Sequence, residues 1–95
     1  MANKLKMFTI VDNKAKCFHP PYFAQTRAEA DRIFTTIVNT EQNQISQFPE
    51  DFDLYYIGEY DDGTGKMYPL TTPEHCIKAM QVRRDKSPDK ITAKE

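Results

Sequence analysis

Cys17, His19, His75 and Cys76 together hold the two sulfur and two imidazole donors of a tetrahedral zinc site. On a strand, Cys17 and His19 would project from one face, as chelating ligands should. His75 and Cys76 are adjacent, and on a helix adjacent side chains diverge by about 100°. Zinc-binding pairs normally carry about two to four intervening residues. Neither pair here does, so the spacing argues against a metal. The same two cysteines form no CxxC; in a reducing compartment they read as free thiols, although a fold that brought them together would allow a disulfide.

A second concentration of chemistry is FPEDFDLYYIGEYDDGTG, Phe48 to Gly65, with six carboxylates and three tyrosines. An EF-hand loop needs oxygen ligands at alternating positions, a glycine at the sixth and a glutamate at the twelfth. Asp61-Asp62-Gly63 lacks the alternation, and Thr72 stands where the glutamate should. A phosphate-binding loop fails as well, because Gly65-Lys66 is followed by Met67 and Tyr60 replaces the leading glycine. No glycine elbow presents a nucleophile, and neither histidine has a Ser or Cys at a motif spacing. The chain reads as a non-enzyme without cofactor or metal.

Nucleic-acid binding is the remaining chemistry. Strand-borne aromatics flanked by cations can stack unpaired bases while the cations meet phosphates. Tyr55 is one such aromatic, and Phe18, Tyr22 and Phe23 lie beside Lys14 and Lys16. Arg27, Arg32, Arg83, Arg84 and Lys86 would add charge if the fold gathered them on one side. The plain alternative makes the aromatics core and the cations a solvated surface, and composition by itself favours it. The net charge of −1 excludes a polyanion binder driven by bulk charge, so a local basic patch is required.

These residues must be positioned by a small set of elements. Leu5 to Asp12 is rich in β-branched and apolar residues and predicts a strand, closed by a turn at Asp12-Asn13-Lys14. A short strand over 15–19 should follow and stop at Pro20-Pro21, which have no N–H to donate. Thr26 with Glu29 is a capping-box signature. Behind it Ala30, Ile33, Phe34, Ile37 and Val38 form an apolar stripe, predicting a helix from Arg27 to Asn39. The amide-rich stretch from Asn39 to Gln47 predicts a loop or a loose turn. Phe52 to Tyr60 is a strand with Phe52, Leu54, Tyr56 and Tyr60 on one face and Asp53, Tyr55, Ile57 and Glu59 on the other. Asp61 to Gly65 is a turn, and Lys66 to Leu70 the returning strand. Thr72-Pro73-Glu74 looks like a helix start, with Ile77, Met80 and Val82 to dock it.

With 95 residues there is room for one core, assigned to residues 1–82. Residues 83–95 carry five basic and three acidic side chains and read as a disordered charged tail. No apolar run approaches the roughly 18–20 residues that cross a bilayer, and MANKLKMFTI is no secretory signal. The expectation is a soluble, intracellular protein.

Several patterns then fall into the order of one known family. They are Phe8-Thr9-Ile10-Val11-Asp12-Asn13-Lys14-Ala15, Pro20-Pro21-Tyr22-Phe23, and Thr26-x-x-Glu29-Ala30-x-Arg32-x-Phe34. Most distinctive are Phe48-Pro49-Glu50-Asp51-Phe52-x-Leu54, Ile57-Gly58-Glu59-Tyr60-Asp61-Asp62 and Thr64-Gly65. In these the chain resembles the small nonstructural protein of gokushoviruses, tailless single-stranded DNA microviruses of bacteria. The likeness runs from Met7 to Leu70. Val11 stands where the family often has tyrosine, the segment after Leu70 matches weakly, and the tail not at all. The resemblance implies a non-enzymatic DNA-binding protein of the bacterial host cytoplasm, acting as replication shifts to single-stranded genome synthesis and packaging. It brings no binding residues with it.

The expected fold is α+β: a small antiparallel sheet, about β-β-α-β-β, with one main helix on a face and a short C-terminal helix. Ile33, Phe34, Ile37 and Val38 should pack against Phe8, Ile10, Leu54 and Tyr56. A core this small leaves an edge or an apolar face open, and a homodimer would cover it. Two functions follow as expectations, single-stranded DNA binding or engagement of a viral or host replication or capsid protein.

Overall fold

The computed structural model describes residues 4–84, so Lys86 and the rest of the expected tail lie outside the described residues. The elements are β1 (Lys4–Asp12), β2 (Cys17–Phe18), β3 (Tyr22–Ala24), α1 (Arg27–Asn39), α2 (Gln44–Gln47), a 3-10 turn (Pro49–Asp51), β4 (Phe52–Asp61), β5 (Lys66–Lys78) and α3 (Ala79–Val82). All pairings are antiparallel, in the order β2-β1-β4-β5, and β3 shares the β2 edge of β1. The curled sheet carries α1 on one face, as the α+β expectation required.

Local chemistry accounts for the boundaries. Asp12 Oδ1 accepts from the amides of Lys14 and Ala15, closing the β1–β2 turn. Pro20-Pro21 splits what would be one strand into β2 and β3. At the break the His19 amide still donates to the Ile10 carbonyl, and the buried Thr9 hydroxyl donates to the His19 carbonyl at 2.7 Å. At the start of α1, Thr26 Oγ1 accepts from the Glu29 amide, while the Glu29 carboxylate reaches one residue further back to the Gln25 amide. Thr26→Ala should therefore cost about 1 kcal/mol in chemical denaturation; an unchanged midpoint would show that the cap is idle.

The core joins Phe8, Ile10, Phe52 and Leu54 of the sheet to Ala30, Phe34 and Val38 of α1, with Ile45 of α2 and Ala79 of α3. Ile33, expected in that core, is only half-buried, because the buried row of α1 is centred on positions 30, 34 and 38. The 39–47 stretch holds a real helical turn, α2, capped by Asn43 Oδ1 on the Ser46 amide.

Two expectations are corrected. The helix start at Thr72-Pro73 does not exist: β5 runs on to Lys78, and the C-terminal helix begins at Ala79. Tyr55 pairs with His75 and Leu54 with Ile77, so the ladder overrides the local cap signal. Pro73 falls in an outward bulge between the pairs Gly58↔Pro69 and Tyr56↔Glu74, where no ladder donor is needed.

The second correction concerns β4. Strict alternation failed beyond Tyr56, because Ile57 is an extra residue opposite Met7 and Phe8 of β1. The bulge reverses the faces that follow. Glu59 joins Tyr56 on the helix side, opposite Lys6, and Tyr60 moves to the other side, opposite Leu5. That other, helix-free face is built of four rows across the strands: Phe18–Val11–Asp53–Lys78, Thr9–Tyr55–His75, Phe23–Met7–Gly58–Pro69 and Leu5–Tyr60–Met67.

Candidate nucleic-acid interface

Beyond the Ile57 bulge the sheet continues as an arm made of the start of β1, the end of β4 and the start of β5, with β3 alongside β1 as far as Lys6. Its helix-side face carries Lys4, Lys6, Glu59 and Tyr68. The Lys4 ammonium lies 4.8 Å from the centre of the Tyr68 ring, and that of Lys6 lies 5.6 Å from the centre of Tyr56. Such pairs are held by the ring quadrupole and the apolar stem of the lysine. Lys6 also sits 3.8 Å from Glu59, an exposed pair of small energetic weight.

The first residue of α1 extends this face. Arg27 donates through Nη2 to the Cys76 carbonyl at 2.8 Å and through Nε to Asp31 at 3.3 Å. Lys6, Phe8, Arg27, Tyr56, Glu74 and Cys76 enclose a shallow depression of about 210 Å³. Burial, with the neighbouring Glu59 and Glu74 carboxylates, pushes the Tyr56 phenol up. Burial also raises the Cys76 thiol, against the Arg27 charge. Both groups are thus neutral at ordinary pH. The depression offers cations, a phenol ring and a protonated thiol, an inventory for binding an anion and a ring.

The residues singled out from sequence are distributed differently. Lys14 and Lys16 are exposed in the β1–β2 turn, where Lys16 adopts a positive φ of 60°. Phe18, 58% exposed, and Tyr55 lie in adjacent rows of the helix-free face. Tyr22 lies on the opposite side: its hydroxyl donates to the Ala30 carbonyl at 2.9 Å, its ring packs on Phe8, and burial raises its phenol. Arg27 is in the depression, and Arg32 is exposed on α1. Arg83 and Arg84 follow α3, with the Arg84 amide donating to Asn39 Oδ1. Phe18 and Tyr55 thus share the helix-free face, Lys14 instead lines a depression with Gln44, Phe48 and Phe52, and Arg27 belongs to a third place.

Lys4, Lys6 and Tyr68 were not singled out by sequence reasoning, and Tyr56 was assigned to the core. The signal present was the alternation Lys4-Leu5-Lys6 at the start of a strand, which puts both ammonium groups on one face. Their tyrosine partners depend on the bulge and on the β5 register, neither of which is written locally.

The four zinc-type donors are scattered. Cys17 is exposed, the His19 ring stands edge-on to Phe52, and His75 Nε2 lies 2.7 Å from Asp53. Among the described residues no three His, Cys, Asp or Glu side chains converge as a metal site, and both cysteines are free. Asp53 is nearly buried between His75, Lys78 and the Asn13 amide, a structural cluster. Asp61 closes the β4–β5 turn, accepting from the Gly63 amide through its carboxylate and from the Gly65 amide through its carbonyl. Among the described residues, no helix is long and apolar enough to cross a membrane.

Residues 5–82 match a protein family described as Phage ORF5 protein. Protein ORF5 of Chlamydia phage 1 is 31% identical over 67 residues, covering 66% of this chain and 70% of that protein. No solved structure matches the chain.

Proposed function

We propose a role for this chain on one premise: it belongs to the Phage ORF5 protein family, and is a small nonstructural phage protein. Its proposed task is to bind single-stranded DNA in the bacterial host cytoplasm during viral genome synthesis and packaging, without catalysis. The observation that carries this reading is the cation–tyrosine face, with Lys4 over Tyr68, Lys6 over Tyr56 and Arg27 alongside. In the free protein each ammonium rests on a ring. An unpaired base stacking on that ring would displace the ammonium towards its own phosphate. Duplex DNA offers no free base faces to the tyrosines, so the single strand should be preferred. Glu59 and Glu74 on the same side keep the binding modest and dependent on salt.

A titration with single-stranded and duplex oligonucleotides at two salt concentrations tests the reading. Lys4→Ala with Lys6→Ala should weaken single-strand binding by roughly tenfold and flatten the salt slope by about 1.4, some 0.7 for each lost phosphate contact. The Lys14–Lys16 turn, with Phe18 next along the chain and Phe48 and Phe52 lining the same depression as Lys14, is the second place where cations and rings meet. Lys14→Ala with Lys16→Ala tells the two apart: a larger loss there would move the site to the β1–β2 turn. Absence of binding by either DNA below about 10 µM at low salt would end the DNA reading.

In that event the role passes to engagement of a viral or host replication or capsid protein. The exposed Phe18, Phe23 and Met67 and the near-balanced charge favour that second reading.

A further inference from the structure

We infer that the helix-free face of the sheet is the contact between two copies of this chain, packed sheet on sheet about a two-fold axis. The core draws on the helices from the other face only, where Phe8, Ile10, Phe52 and Leu54 point. On the open face Phe18, Phe23 and Met67 are 58%, 41% and 60% exposed. The Phe23 and Tyr60 rings belong to strands on either side of β1, yet their centres are only 5.1 Å apart. They must lean together over β1, which explains why Met7 beneath them is 4% exposed and why the face ends in an aromatic ridge. A ridge of this kind interdigitates with the inner face of a second sheet about 10 Å away.

Three observations select a second copy as the occupant. The only carboxylate in the rows of this face, Asp53, is nearly buried, lies 2.7 Å from His75 Nε2 and is ion-paired with Lys78, so no unpaired carboxylate of one copy faces its twin. The alternative route to self-association, pairing along the free edge of β5, is spoiled by Pro69, Pro73 and the bulge between them. The size is also appropriate. The nine residues of β1 at about 3.3 Å each, across four strands about 4.8 Å apart, give a footprint of roughly 450 Å². That is within a factor of two of the ~800 Å² per partner of a standard interface, which predicts a dimer that responds to concentration. The cation–tyrosine face points away from this contact, so the inference stands apart from the DNA reading.

Sedimentation of the full chain from about 1 µM to roughly 100 µM is the test. The expected result is a rise from the 11.1 kDa monomer towards twice that mass. Met67→Glu and Phe23→Glu should each weaken association by about tenfold or more, with circular dichroism confirming the fold. Tyr68→Glu, on the opposite face, should leave association unchanged. Met67 is the more exposed of the two positions, so its variant stands if the Phe23 one misfolds. A monomer across the whole range overturns the inference, and so does a dimer that survives Met67→Glu. Single-strand binding at the Lys4–Lys6 face, or no DNA binding at all, can accompany either outcome.

Discussion

Gly58→Ala is expected to remove on the order of 4 kcal/mol of stability, from backbone strain of about 1–3 kcal/mol and overpacking of a similar size. Gly58 has φ +151°, a conformation that L side chains rarely adopt. A Cβ there would stand 2.5 Å from the Tyr68 carbonyl oxygen and 2.7 Å from Pro69 Cα, both backbone of β5, and 3.1 Å from Met7 Cε. The methionine can move; the paired strand cannot without opening the ladder. Gly65→Ala is the matched control, because its φ of +79° is also positive but nothing lies within 4 Å of the new Cβ. It should cost only about 1 kcal/mol. Urea denaturation of the two variants separates crowding from backbone preference, and equal losses would refute the close approach. A domain of this size has about 5–15 kcal/mol in total, so the Gly58 variant is expected to lose its arm even where the rest stays folded.

Phe34→Ala should cost about 3–5 kcal/mol. Phe34 is fully buried in the cluster that joins α1 to Phe8, Leu54 and Ala79, and the described core has few side chains of comparable volume to close the gap. Ile33→Ala, one residue away and half-buried, should cost appreciably less. Equal losses at the two positions would mean that α1 is rotated from the orientation described. The same urea midpoints measure both.

The contrast between Ile33 and Phe34 also marks where sequence reading reached its limit. The boundaries of α1 were legible because Thr26, Glu29 and an apolar stripe are local signals that agree with one another. The strands begun at Leu5 and Phe52 and the turns at Asp12 and Asp61 were legible for the same reason, whereas the strand Tyr22–Ala24 and the order in which the strands pair were not. What was not legible depended on partners distant in sequence. Nothing near Ile57 announces a bulge, since its extra residue is defined only against Met7 and Phe8. Thr72-Pro73 satisfies every local rule for a helix start, yet β4 claims the residues that follow it. The cation–tyrosine face was hidden by the same displacement, because assigning Tyr56 to the core is correct for part of its ring and silent about Lys6 above it.

The pairing of β1 between β3 and β4 has a consequence for how the chain is made. During synthesis β1 emerges first and can zip with β2 and β3 almost at once, since only a turn and two prolines intervene. Its other edge is claimed by β4, which emerges only after both α1 and α2. Until then the nascent chain presents an unpaired strand containing Phe8 and Ile10, open to pairing with neighbouring chains on a crowded polysome. Lys4 and Lys6 bracket the start of that strand and act as gatekeepers against such pairing. The lysines that rest on tyrosine rings in the finished molecule thus guard the unfinished one.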